Sequence, residues 1–149
     1  MTNIAKEISS VLSVGHFFSK ELYLTESEII EGATQAGDMN PIHHNLNNQH
    51  SKEFGSIIAS GSHVTGLFTA MIPTEFTRFG PMIGAQMSIK FIKPVFPLKN
   101  YTMFWKVTKK VWKRSLGGTL FNLDGKVELN FKTSSELIVK ANADVIFYG

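Results

Sequence analysis

From Gly84 to the end of the chain, apolar residues recur at every second position, a period that fits extended strands with one buried and one wet face. Met87, Ile89 and Phe91 alternate with Ser88, Lys90 and Ile92, and Pro94 and Pro97 end the pairing region. Tyr101, Met103, Trp105 and Val107 share the next face, with Thr102, Lys106, Thr108 and Lys110 opposite. Gly117-Gly118 reads as a turn and Asp124-Gly125 as a turn or bulge, after which Val127, Leu129 and Phe131 alternate with Glu128, Asn130 and Lys132. Thr133-Ser134-Ser135 turns the chain once more. The last strand sets Leu137, Val139, Ala141, Ala143, Val145 and Phe147 against Lys140, Asn142 and Asp144.

The first half is different. Thr25 to Gln35 reads as a helix: Thr25 and Glu28 have capping-box spacing, Ile29, Ile30 and Ala33 share a face, and Gly37 can end it in a left-handed conformation. A second helix is expected from Gly61 to Ile72, where Val64, Leu67, Phe68 and Met71 recur at helical spacing, with Pro73 closing it. Small residues from Ala59 to Ser62, and Gly66, let this helix approach another backbone or a ligand closely, which predicts a central position. An early strand is expected within Val14 to Leu24. The order, one strand, two helices and a run of strands on short turns, is that of an α+β domain with an antiparallel sheet. With 149 residues, there is room for one domain, 1–149. A sheet that packs a helix on one face and keeps the other polar leaves an edge available, so a homodimer or higher homo-oligomer is expected.

Composition narrows the chemistry. There is no cysteine, which excludes disulfides, thiolate metal sites and a cysteine nucleophile. No stretch reaches the roughly 20 apolar residues of a membrane span, and the first residues lack the apolar run of a signal peptide, so a cytoplasmic protein without membrane partners is expected. The net charge of +3 owes much to Lys106, Lys109, Lys110, Lys113 and Arg114. Trp105 and Trp112 within this basic run raise the idea of a single-stranded nucleic acid, but the alternation puts Trp105 and Val107 on a core face and the lysines in solvent, so no nucleic-acid partner is expected. A solvated sheet surface is the simpler account of the run; coenzyme A phosphates or an acidic acyl carrier protein fit it better than a nucleic acid does.

The densest set of reactive side chains is Asp38, Asn40, His43 and His44, in a loop past the first helix that contains Pro41. A carboxylate and an imidazole fixed beside each other can hold a water and move protons in opposite directions. Spacing alone is served more simply by Asx turns at Asp38 and Asn40 and a partly buried His43. A metal site from Asp38, His43, His44 and His50 has suitable ligand types but no recognised spacing, and none is expected.

The run Ala36-Gly37-Asp38-Met39-Asn40-Pro41-Ile42-His43 resembles the G-D-x-N-P-[IVL]-H signature of the MaoC-like, R-specific enoyl-CoA hydratases. Thr25-Glu26-Ser27-Glu28-Ile29 before it, and the F-x-x-P-V-F run from Phe91 to Phe96 after it, extend the likeness over roughly Val14 to Phe147. The resemblance implies a hot-dog fold, a long central helix wrapped by an antiparallel sheet. It implies a hydro-lyase in which Asp38 and His43 position water for syn addition across a trans-2-enoyl thioester, giving the (R)-3-hydroxyacyl thioester, with dehydration as the reverse. It supplies no metal or redox cofactor; coenzyme A or acyl carrier protein enters as part of the substrate. Gly61 matches the glycine whose N–H, at the start of the central helix, meets the thioester oxygen, although tight packing against the sheet explains this glycine equally well. Asn40 becomes a residue that holds the loop. Thr69 matches an active-site serine of some hydratases, or is simply a helix residue facing core or solvent. The chain departs from the pattern at Ser60, where a histidine usually precedes the glycine, though Ser60 is still expected with Gly61 and Thr69 among the residues that meet the substrate. That departure keeps two other readings open, a thioesterase and a non-catalytic acyl-thioester binder. Met71, Ile72 and Phe76 are expected to set acyl-tunnel depth.

Overall fold

The structure is a computed structural model and describes residues 12–149. Strand β1 (Phe17–Leu22) precedes helix α1 (Glu26–Gln35), a 3-10 turn (Pro41–His43) and a short helix α2 (Gln49–Phe54). Helices α3 (Gly61–Thr69) and α4 (Met71–Phe76) follow, and strands β2 (Met82–Phe91), β3 (Tyr101–Lys113), β4 (Gly118–Asn130) and β5 (Ser135–Phe147) complete the chain. The five strands form one antiparallel sheet in the order β1-β3-β4-β5-β2. The α+β layout expected from periodicity is present.

The sheet packs one face on α3. Tyr101, Met103, Trp105 and Val107 of β3 are buried as the alternation predicts, with Phe121, Leu123 and Val127 of β4 and Val139, Ala141, Ala143 and Val145 of β5. Against them lie Val64 and Phe68 of α3 and Ile72 and Phe76 of α4. The Trp105 ring stacks on Phe68 with centroids 4.4 Å apart, and its Nε1–H donates to the Phe68 carbonyl at 2.9 Å. A buried indole is thus both packed and hydrogen-bonded, which ties the middle of the sheet to the end of the helix. The capping box at the start of α1 is formed: Glu28 N–H reaches Thr25 Oγ1, and Thr25 N–H reaches the Glu28 carboxylate.

Five local expectations are corrected. Pro73 does not end the helix. The α-helical ladder breaks at Ala70, and Pro73 lies in the first turn of α4, where a missing N–H loses no intrahelical bond. Asp124-Gly125 is neither turn nor bulge: both residues pair in register with β3 inside an unbroken β4. Glycine is there because Trp105 and Phe68 occupy the space of its side chain. The bulge falls instead at Thr108 on β3, which reverses the alternation beyond it. Lys110, expected in solvent, turns inward, where its Nζ–H donates to the Leu12 carbonyl and its charge lies 5.6 Å from the Phe121 ring centre. A second bulge, between Val127 and Glu128 on the β4–β5 ladder, exposes Leu137 and buries Ile138. Phe131, finally, lies past the end of β4 and is exposed.

Candidate active site

Asp38 is placed by the end of α1. Gly37 takes a left-handed φ of 75°, its N–H returns to the Thr34 carbonyl, and Asp38 N–H returns to the Ala33 carbonyl at 2.9 Å. This is a Schellman closure, and it fixes the Asp38 backbone relative to the helix. Asn40 follows in extended geometry before Pro41, its Oδ1 accepting Ile42 N–H at 3.4 Å while its own N–H donates to Asp38 Oδ1 at 3.2 Å. Asn40 is thus tied into the loop by its main chain as much as by its side chain. The 3-10 turn from Pro41 then carries His43 inward.

His43 is buried, with its ring hydrogen-bonded at Nδ1 and facing Asp38 at Nε2. Nδ1 lies 2.7 Å from the Ile58 carbonyl and Nε2 lies 3.1 Å from Asp38 Oδ2. A carbonyl oxygen only accepts, so Nδ1 carries hydrogen. His43 Nε2 and Asp38 Oδ2 thus face each other at ion-pair distance. The Ile58 strand of chain is itself fixed, with Ile58 N–H donating to the Ile42 carbonyl and Ala59 N–H to the Val95 carbonyl.

Ser60 is fully buried, and its hydroxyl donates to Asp38 Oδ2 at 2.6 Å. It occupies the N-cap position of α3 but makes no side-chain capping bond there. The first-turn N–H groups of α3 therefore have no side-chain cap, and they begin at Gly61. A β-carbon on Gly61 would sit 3.1 Å from the tip of the Phe91 ring, so helix and strand approach closely here. His43, Gly61, Val64 and Phe91 line one pocket of about 360 Å³. Its lining is mostly apolar, with His43 as the reactive group.

Two hydrogen bonds set the charge of Asp38. The Ser60 hydroxyl and the Asn40 N–H hold its carboxyl below the usual carboxylate range, against an opposing effect of burial and with smaller help from His43 and His44. Asp38, an anion at neutral pH in any case, thereby stays one further into acid.

The site residues expected from the sequence divide by position. Asp38, Asn40, His43, Ser60 and Gly61 come together. Thr69 does not join them within this chain: its hydroxyl donates to the Thr65 carbonyl at 2.8 Å, and it lines a separate pocket with Met82, Gly84 and Met87. Met71, Ile72 and Phe76 are buried in the core cluster. Two roles were not foreseen. His44 has its Nε2 2.7 Å from the Asp38 carbonyl and so braces the Asp38 backbone. Ser60 was noted as a departure, not as the partner of Asp38; its only sequence signal is a hydroxyl following the apolar Ile57-Ile58-Ala59. His50 pairs with Glu53 at the surface of α2, away from His43. Among the described residues, no group of three or more His, Asp or Glu side chains is arranged to hold a metal ion. His63 packs its ring on the backbone of Gly32 in α1, and burial pushes its pKa down.

A family model described as the MaoC like domain matches residues 15–122, most of the chain. This chain belongs to the MaoC-like dehydratase family. Solved MaoC-like and related structures share its fold. The (R)-hydratase from A. caviae involved in PHA biosynthesis superposes with a TM-score of 0.75 at 20% identity, over 92% of this chain and 98% of that one. R-hydratase PhaJ1 from Pseudomonas aeruginosa gives 0.73 at 22% identity, over 91% and 82%. The HadBC (3R-hydroxyacyl-ACP dehydratase) complex from Mycobacterium tuberculosis gives 0.67 at 12% identity, over 89% and 96%. No curated protein sequence matches. The MaoC-like chain has the hot-dog fold of these neighbours, with α3 as the helix that the sheet wraps.

Proposed function

We propose that this MaoC-like protein hydrates trans-2-enoyl thioesters to (R)-3-hydroxyacyl thioesters and catalyses the reverse dehydration. The observation that carries the reading is the line of contacts from His43 to Asp38 at ion-pair distance and from Asp38 to the Ser60 hydroxyl by a hydrogen bond, beside a pocket that also holds the uncapped start of α3. The thioester carbonyl accepts from the Gly61 N–H, where charge builds as water adds to C3. A water held by Asp38 and His43 forms the new C3–O bond. The pair takes one proton from that water and delivers one to C2 on the same face, so it ends in its starting state. No metal or redox cofactor takes part, and coenzyme A or an acyl carrier protein is simply the carrier of the acyl group.

The working unit is a homodimer in the cytoplasm. β2 is an edge strand paired only with β5, and it exposes Ile83, Met87 and Phe91. A second copy added at this edge satisfies its free backbone groups and covers that apolar surface. Among the described residues, no helix is long and apolar enough to cross a membrane.

The test is product analysis with trans-2-enoyl-CoA substrates of several lengths and with the corresponding carrier-protein thioesters. The expected product is the (R)-3-hydroxyacyl thioester, resolved on a chiral column. Release of free thiol instead would identify a thioesterase, and tight acyl-thioester binding without any product would identify a binder.

A further inference from the structure

Asp38 needs a rigid partner to stay aimed at His43, and the chain supplies one that lies 22 residues away. Ser60 is completely buried and sits at the N-cap of α3, a position where a serine hydroxyl ordinarily accepts a bond from the helix's own N–H groups. Here it does not. Its hydroxyl is turned outward from the helix and donates to Asp38 Oδ2 at 2.6 Å, the same oxygen that faces His43 Nε2. Asp38 Oδ1 takes the Asn40 N–H, so each carboxylate oxygen has a donor and the group cannot rotate freely.

We infer that Ser60 is a positioning residue for the proposed reaction: it fixes the Asp38 carboxylate as an anion directed at His43, and by abandoning the cap it frees the N–H groups at the start of α3 for the substrate carbonyl. The inference rests on the hydratase reading for its effect on turnover, but its effect on Asp38 stands apart from any activity. The titratable groups that face Asp38 are His43 and His44, both from the segment after Pro41; α3 offers the Ser60 hydroxyl and no charge. Removing the hydroxyl leaves Oδ2 with His43 alone. The carboxylate then binds a proton more readily, and its geometry loosens.

Two measurements on the full-length protein test this. The first is a ¹³C-NMR titration of aspartate-labelled protein, with the Asp38 signal assigned by its loss in Asp38→Asn. Ser60→Ala is expected to raise the Asp38 titration midpoint, and Ser60→Thr, which keeps the hydroxyl, to restore it. The second is the pH profile of enoyl-thioester hydration. Ser60→Ala is expected to lower kcat by roughly 10- to 100-fold, the range that a hydrogen bond to a charged group corresponds to, and to move the acid limb upward. KM should change much less. An unchanged Asp38 midpoint in a folded Ser60→Ala protein overturns the inference whether or not the protein is a hydratase. A shifted midpoint in a wild-type background that never turns over enoyl thioesters would leave Ser60 as the partner of Asp38 and overturn only its part in that reaction.

Discussion

Gly125 lies under the Trp105 ring so closely that a β-carbon there would come within 2.6 Å of the indole and 2.7 Å of Phe68. The centre of the fold is therefore built on an absent side chain. Gly125→Ala is expected to destabilise the protein by roughly 1–3 kcal/mol, because the stacked pair and the Trp105–Phe68 hydrogen bond hold the ring in place. Urea unfolding with tryptophan fluorescence checks this. Unchanged stability would mean that the ring can move aside freely.

Leu98 is a non-glycine residue with a left-handed φ of 60°, and its side chain is mostly exposed. Left-handed geometry costs a side-chain-bearing residue about 1–2 kcal/mol, whereas glycine avoids the clash at a smaller entropic cost in the unfolded chain. Leu98→Gly should raise stability by roughly 0.5–1 kcal/mol and Leu98→Val should lower it. Thermal and urea midpoints for the two variants, read together, should move in opposite directions.

Much of this architecture was legible in the sequence. The capping box of α1, the buried alternation of β3 and the order of elements follow from spacing, because one wet face and one dry face leave a direct mark on the residues. The bulges at Thr108 and before Ile138 were not legible, since each adds one residue that only the partner strand can reveal. Nor was the purpose of Gly125 visible, because it depends on Trp105 and Phe68, which are distant in sequence. At the site, the motif from Gly37 to His43 marked Asp38 and His43, which the fold brings to 3.1 Å. Ser60 and His44 were both singled out, but their contacts with Asp38 were not foreseen because they are set by the fold.

Hydrogen bonds from Ser60 and Asn40 hold the Asp38 carboxyl below its usual range. The folded protein thus binds the Asp38 proton more weakly than the unfolded chain does. The resulting stabilisation is fully present above the unfolded value of about 3.9 and is lost as pH falls through the lower folded value. Urea unfolding of wild type and Asp38→Asn across this acid range should show the stability difference changing against the wild type as pH falls. A difference independent of pH would contradict the assigned hydrogen bonding.

Met87 is partly exposed on the edge strand β2, and its neighbour on β5 is Ala143. A charge at this position opposes burial of the edge against a second copy. Met87→Lys should shift the wild-type dimer toward monomer in sedimentation velocity at micromolar concentration. A monomeric wild type would refute the proposed assembly.

The central claim, that Asp38 and His43 together add water to an enoyl thioester, is tested most directly by the loss of enoyl-thioester absorbance when crotonyl-CoA and longer trans-2-enoyl-CoAs meet the purified protein. Turnover by the wild type is expected, with kcat falling at least about 100-fold in Asp38→Asn and in His43→Ala, the scale of a lost acid–base group. Folded variants that retain wild-type rates would contradict the claim, as would a folded wild type inactive on both coenzyme A and carrier-protein thioesters.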